Sequence, residues 1–197
     1  RVVAELTSYG DKVRSAEGKI IEVIGDYTDP LTDVLSVVRE LKIPYEFPEE
    51  VTADLKRIPD EVDPRELATR TDLRDLVTVT IDGEDAKDLD DAITLYEENG
   101  MYKLGVHIAD VSHYVTENSP LDKEALNRGT SCYLVDKVIP MLPEKLSNGI
   151  CSLNAGKDRL TLSCLMDIDK NGNIVSHKIC ESVINVNERM TYTAVSA

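Results

Sequence analysis

Residues 76–96, LVTVTIDGEDAKDLDDAITLY, decide how the chain is read. Val77, Val79 and Ile81 alternate with Thr78 and Thr80, the period of a β-strand, and the run ends at Asp82-Gly83, where glycine is expected to let the chain turn. Six carboxylates and one lysine then share the ten positions 82–91. Two unit charges about 4 Å apart repel by about 1 kcal/mol in bulk water and about 4 kcal/mol at an effective dielectric near 20. Several gathered on a folded surface therefore call for a cation among them. An acidic block is ordinarily disordered, but Leu89, Ala92 and Ile93 give this one apolar anchors to a core. Asp82 is expected at the strand end, with Asp88, Asp90 and Asp91 returning towards it along a short loop. Oxygen-only ligands suit a hard ion, Mg²⁺ or Mn²⁺. A solvated acidic loop and a calcium loop are the alternatives.

The calcium alternative is tested by spacing. An EF-hand loop starting at Asp82 needs glycine at its sixth position and glutamate at its twelfth, where Lys87 and Ile93 stand. A second candidate, Asp167, Asp169, Asn171, Gly172 and Ile174, follows the pattern further, but Lys178 occupies the place of the bidentate glutamate. Strands are expected on both sides of it, so it reads as a hairpin turn.

Working outward, Ile93–Tyr96 and Met101–Ala109 are expected to be strands joined by Asn99-Gly100, the strongest hairpin signal in the chain. Leu121–Arg128 reads as a short helix ended by Gly129. Ser131–Val135 and Leu160–Ile168 read as extended, and Ile174–Val186 as a further strand after the Lys170–Asn173 turn. Upstream, residues 28–75 form an acidic helical connector: Asp29-Pro30 and Asp63-Pro64 are helix starts, and Leu31, Val34, Leu35, Val38 and Leu41 recur at helical spacing. Val51, Leu55 and Ile58 repeat the pattern more weakly. Residues 1–27 hold two alternating runs, Val2–Thr7 and Gly18–Gly25, around a Tyr9-Gly10-Asp11 turn, which fits two antiparallel strands of a small barrel needing further partners.

The net charge is −15, from 22 basic and 37 acidic residues, whereas a phosphate-tracking surface is normally basic. Residues 28–100 hold 8 basic and 21 acidic side chains, so nearly all the excess lies there, most simply as a solvated face. Cys132, Cys151, Cys164 and Cys180 make no C-x-x-C pair and read as free thiols of a reducing compartment. No apolar run reaches the roughly 20 residues of a membrane helix. A soluble cytoplasmic protein, monomeric and not bound to membrane, is expected. Pattern begins directly at Arg1, so the sequence reads as a piece of a longer chain.

The residues Thr80–Ala92 (TIDGEDAKDLDDA) resemble the metal-site signature of the ribonuclease II/ribonuclease R family, the RNB catalytic domain. Further matches follow in order: His107–Ser112, Pro120–Asp122, Asn127–Ser131, Tyr133, Ile139–Pro143 and Leu146–Asn154. The likeness spans residues 76–197, and residues 1–27 resemble, less specifically, the closing strands of that family's second cold-shock domain. The implied fold is α+β: the end of an OB-type cold-shock β-barrel over 1–27, a helical linker over 28–75, and the N-terminal part of a mixed α+β RNB domain over 76–197. The implied activity is hydrolysis of single-stranded or 3′-tailed RNA from the 3′ end to nucleoside 5′-monophosphates. The implied cofactor is Mg²⁺, with Mn²⁺ as a substitute, on Asp82, Asp88, Asp90 and Asp91. Asp82 and Asp91 are expected as direct ligands, Asp90 as the residue needed for turnover, and Asp88 in either role. Tyr133 is expected to pack near the 3′-terminal nucleotide. The resemblance also implies further catalytic groups after Ala197, whose absence leaves this segment weak or inactive by itself.

Two other readings stay open. A non-catalytic RNA-binding or regulatory relative would keep the fold and is expected to lack one of the four aspartates. His107 and His113, beside Asp110, invite a catalytic role, but alternation places His107 within a strand, so structural roles are expected. Lys137, Lys157 and Arg159 remain unassigned.

Overall fold

The computed structural model describes residues 1–135 and 137–197, in two compact units. The first comprises Arg1–Phe47 and Ser131–Ile139. Its strands β1 (Val2–Ser8) and β2 (Glu17–Val23) pair antiparallel, as their alternation predicts. Helix α1 (Pro30–Glu40) starts where the Asp29-Pro30 signal places it: the Asp29 side chain accepts from the Leu31 amide. Val38 supplies the buried side of α1, and Arg39 reaches back to Glu22 on β2 at 2.7 Å. Gly25 is needed for that approach, because a Cβ there would stand 2.3 Å from Thr32 Oγ1.

The second unit comprises Pro48–Thr130 and Pro140–Ala197. The connector's remaining helices open it: α2 (Glu49–Leu55) and α3 (Pro64–Leu67), the latter capped by Asp63. Then come β3 (Thr71–Asp72), β4 (Thr78–Asp82), β5 (Asp91–Glu98), β6 (Met101–Ala109), α4 (Val111–Tyr114) and α5 (Pro120–Arg128). Strands β7 (Cys132–Tyr133) and β8 (Val138–Ile139), which belong to the first unit, interrupt the order. A π-helical turn, Lys145–Ile150, precedes β9 (Asp158–Ile168), β10 (Ile174–Asn185), β11 (Glu188–Thr191) and α6 (Tyr192–Ser196). Seven strands form one mixed sheet in the order β11-β4-β5-β6-β9-β10-β3. The β11/β4 and β10/β3 pairs are parallel and the rest antiparallel. At the β5–β6 hairpin both Asn99 (φ 54°) and Gly100 (φ 74°) are left-handed, the backbone a two-residue turn requires.

The predicted strands hold with shifted ends, β5 and β9 running longer than expected, and one shrinks: of Ser131–Val135 only Cys132–Tyr133 is paired, against Val138–Ile139. Pattern gave no warning of the π-helical turn, β11 or α6. The first has a non-helical Gly149 inside it, and the other two are too short to show a period.

Part of the sheet buries polar side chains. On its covered side Thr78 Oγ1 meets Thr94 Oγ1 at 2.7 Å, and Thr94 Oγ1 meets His107 Nε2 at 3.1 Å. His107 Nδ1 lies 2.6 Å from Ser163 Oγ, which meets Ser182 Oγ at 2.5 Å, so a chain of polar contacts crosses five strands from β4 to β10. On the other side Ile108 and Leu162, directly opposed on β6 and β9, are 48% and 43% exposed. His107 is 0% exposed, and burial alone pushes its pKa down to about 4. Gly105 leaves room for it, since a Cβ there would come within 2.8 Å of His107 Nε2. The expected structural role of His107 is what this geometry gives. His113 likewise lies beside Arg70 and Glu66, where Arg70 Nη2 donates to Asp110 Oδ2 at 2.7 Å. Burial alone would raise Asp110, but its bonds from Ser112, Arg70 and the His113 amide hold its pKa below the usual carboxylate range.

Candidate active site

Strand β4 is paired on both sides, by β5 and by β11, and carries Asp82 at its last position. The loop 83–90 then brings the chain to β5, which begins at Asp91. Its apolar anchors act as expected: Leu89 and Ala92 are buried. Gly83 is a correction. Nothing lies within 4 Å of an added Cβ, and its backbone is not left-handed, so the turn after Asp82 makes no steric demand for glycine.

The acidic loop is held by backbone contacts the sequence did not reveal. Ser152 Oγ donates to Lys87 O at 2.8 Å and accepts from Leu89 N at 3.1 Å. Leu153 N donates to Leu89 O, and Ala109 N to Asp90 O, both at 2.9 Å. Ser152 is itself fixed by Arg159, whose Nε donates to Ser152 O at 2.7 Å and whose Nη2 donates to Gly149 O at 3.0 Å. Arg159 is therefore no phosphate contact: it is buried, and burial pulls its pKa down. At the other end Arg189 Nη2 donates to Gly83 O at 2.9 Å and to Glu84 O at 2.7 Å. Ser152 lies within the Leu146–Asn154 stretch quoted for the resemblance, but pattern offered no role for it, and Arg189 carried no signal at all.

The aspartates act on one another. Asp82 is raised above the ordinary carboxylate pKa first by desolvation and then by Asp91 and Asp88, with Arg189 working against them. The Thr80 hydroxyl also favours the Asp82 anion weakly, without a hydrogen bond of acceptable geometry. Asp90 is raised by desolvation, then by Asp88, Asp91 and Asp82. Asp90 is exposed as a residue and yet desolvated at its carboxyl. Asp82 Oδ2 is buried and has no hydrogen-bond partner. Such an atom is expensive to leave unsatisfied. Together with an oxygen-only donor set it fits a hard divalent cation. Among the described residues, however, no three His, Cys, Asp or Glu side chains are already gathered as a coordination shell. The four aspartates thus share one electrostatic neighbourhood without a closed cage.

Tyr133 sits on β7 in the other unit and is 68% exposed. The four cysteines are free, and burial raises the Cys151 thiol to about 12, which leaves it inert. No helix among the described residues is long and apolar enough to cross a membrane.

Two family models match the chain: the RNB domain over residues 70–197 and the cold shock domain over residues 1–48. The chain belongs to the ribonuclease II/ribonuclease R family of RNB-domain proteins. Ribonuclease R 1 of Lactococcus lactis is 54% identical over 198 residues, covering 99% of this chain and 24% of that protein. Ribonuclease R of Thermotoga maritima is 54% identical over 199 residues, covering 100% of this chain and 28% of that protein. The chain thus spans about a quarter of the length of these relatives. Among solved structures, Mycoplasma genitalium RNase R in complex with double-stranded RNA superimposes with a TM-score of 0.89 at 33% identity, over 99% of this chain and 35% of that one. Yeast Ssd1, a pseudonuclease, shares the fold at a TM-score of 0.70 and 22% identity, over 98% of this chain and 25% of that one.

Proposed function

We propose that this chain carries the aspartate centre of a metal-dependent hydrolytic exoribonuclease, which removes nucleotides from the 3′ end of single-stranded or 3′-tailed RNA as nucleoside 5′-monophosphates. The observation that carries the reading is the buried, unpartnered Asp82 Oδ2, with Asp82 and Asp90 both raised above the ordinary carboxylate pKa by desolvation and by the aspartates beside them. The family's relatives support it, as do the M. genitalium RNase R complexes with double-stranded RNA and with ribose-methylated single-stranded RNA.

In this reading Asp82 and Asp91 ligate Mg²⁺, or Mn²⁺ in its place, with Asp88 beside them and Asp90 needed for turnover. A divalent ion bound there supplies neutralising charge at the scissile phosphodiester and acidifies water close to it. The protein's own part is placement. The Ser152–Arg159 pair and the Ala109 amide fix the returning half of the loop, so Asp88, Asp90 and Asp91 stand where the fold puts them and not where mutual repulsion would drive them. Tyr133 offers an exposed ring on which a base can stack, worth about 1–3 kcal/mol per base and indifferent to base identity, as a general degrading enzyme needs.

A second reading is a non-catalytic RNA-binding relative with the same fold, against which the chain keeps all four aspartates. Titration of the chain with Mn²⁺, followed by paramagnetic resonance, separates the two. The enzyme reading expects saturable binding that Asp82→Asn abolishes. Absence of saturable binding would support the non-catalytic reading instead.

A further inference from the structure

The ten positions 82–91 carry six carboxylates, so the loop is under electrostatic pressure to open. Its two halves resist that pressure by different means. Residues 87–90 are tied by four hydrogen bonds to Ser152, Leu153 and Ala109, with buried Leu89 between them. Among the described residues, the entry half, 83–86, has a single internal bond, from Ala86 N to Gly83 O at 3.2 Å, and its side chains are exposed or half-buried. The further group that bonds its carbonyls, again among the described residues, is the Arg189 guanidinium.

The register explains why an arginine is needed there. Strand β11 runs parallel to β4 with Arg189 beside Thr80 and Thr191 beside Asp82. The carbonyls of Gly83 and Glu84 therefore lie three and four residues ahead of the position that Arg189 faces, and only a long side chain running along the strand reaches them. One nitrogen, Nη2, spends both of its hydrogens on the two carbonyls, which fixes the plane of the guanidinium. A lysine has the length but concentrates its charge and donors at one rotating point.

We infer that Arg189 is a positioning residue for the aspartate centre, clamping the turn after Asp82 so that the Asp82 carboxylate is held in place for a cation against the repulsion of its neighbours. Arg189 touches neither substrate nor cation in this role; it acts through the backbone. The inference rests on the proposed cation site, and it makes a prediction that a bare electrostatic effect would reverse. Removing a positive charge next to a cation site strengthens cation binding by charge alone. Removing a clamp weakens it.

The test compares the chain with its Arg189→Gln, Arg189→Lys and Asp82→Asn variants. Amide hydrogen exchange is read over 83–91, with the β9–β10 amides as an internal control of folding, and Mn²⁺ binding is titrated by paramagnetic resonance. Arg189→Gln is expected to speed exchange over 83–86 by roughly fivefold to tenfold, the scale of two lost hydrogen bonds, with the β9–β10 amides unchanged. It is also expected to weaken Mn²⁺ binding by a similar factor, with Arg189→Lys between the two. Unchanged exchange over 83–86, or tighter Mn²⁺ binding in Arg189→Gln, overturns the inference. Should Arg189→Gln lose protection in β9–β10 as well, the decision passes to Arg189→Lys, where unaltered exchange over 83–86 overturns the inference and faster exchange upholds it. Should the unaltered chain bind no Mn²⁺, the cation site fails, and the exchange data alone still decide whether Arg189 clamps the turn.

Discussion

Two acidic loops of the same sheet, one after β4 and one after β9, treat their carboxylates in opposite ways. At the β9–β10 turn, Asp169 accepts from the amides of Asn171 and Asn173 and from Asn173 Nδ2, while Asp167 pairs with Lys103 at 2.7 Å and accepts from Ser176. Asp169 is pulled below the usual carboxylate range by its Asn173 and backbone bonds, and Asp167 by Lys103 and Ser176. At the β4–β5 loop, desolvation and neighbouring aspartates push Asp82 and Asp90 the other way. The calcium-like spacing belongs to the satisfied loop, and the loop without that spacing holds the unsatisfied oxygen. On the proposed reading, ligand spacing in sequence is a poorer guide to a cation site than whether the fold has already answered the carboxylates with its own donors.

The sharpest way to break this contrast is Asp90→Asn. In a full-length ribonuclease R carrying this sequence, release of mononucleotides from a 3′-tailed RNA is expected to fall at least about a hundredfold, the scale of losing a preorganised electrostatic group. Retention of the same RNA in a filter-binding assay should be unchanged. Next, saturating Mn²⁺ is expected to raise the Tm of the chain by about 5–10 °C at a concentration 100 times its Kd, from roughly 2.7 kcal/mol of linkage in a domain of this size. The shift should vanish in Asp82→Asn and persist in Asp169→Asn, as calorimetry would show. Ser152→Ala, which frees the returning half of the loop, is expected to weaken Mn²⁺ binding about tenfold while the chain stays folded.

The smallest effect is the pH dependence without metal. Asp82 and Asp90 have raised pKa values in the folded chain, so the folded state binds more protons than the unfolded one above the ordinary carboxylate pKa of about 4. Their penalty on stability thus appears as pH rises through the raised values, and Asp82→Asn is expected to stabilise the metal-free chain at pH 7 but not below about pH 4. Asp169 has a lowered value, so its stabilisation is present above about pH 4 and is lost as pH falls through the lowered value. Asp169→Asn should accordingly destabilise at pH 7 and have no effect in acid. Urea denaturation across pH gives both differences, and the acid sensitivity of buried His107 cancels because every variant keeps it. Equal signs for the two substitutions at pH 7 would abolish the contrast.

Much of this was legible in the sequence, and the reasons differ by residue. Alternation over 77–81, Asn99-Gly100 and the two Asp-Pro helix starts are local signals, and local physics decides them. The aspartates were visible because charge density cannot be hidden. What supports them was not. Ser152 lies more than sixty residues from the backbone it grips, and Arg189 more than a hundred from its carbonyls. Neither residue type is unusual, so only the closing of the sheet gives them a task. Arg159 was equally opaque, because an arginine bound for phosphate and one buried against carbonyls look alike until burial is known. The expected glycine turn at Gly83 failed for the opposite reason: the residue permits a conformation that the chain does not use.

The buried polar row also inverts the ordinary rules of protein engineering at a few positions of these strands. Ile108→Lys or Leu162→Lys, changes that would wreck a normal interior, fall where water already reaches and offer a route to better solubility of the isolated chain. His107→Leu, which by hydropathy improves a core, would cut the polar chain between Thr94 and Ser163 and cost each of them a buried hydrogen bond. On adjacent residues of one strand, the greasier choice is the damaging one and the charged choice the tolerated one.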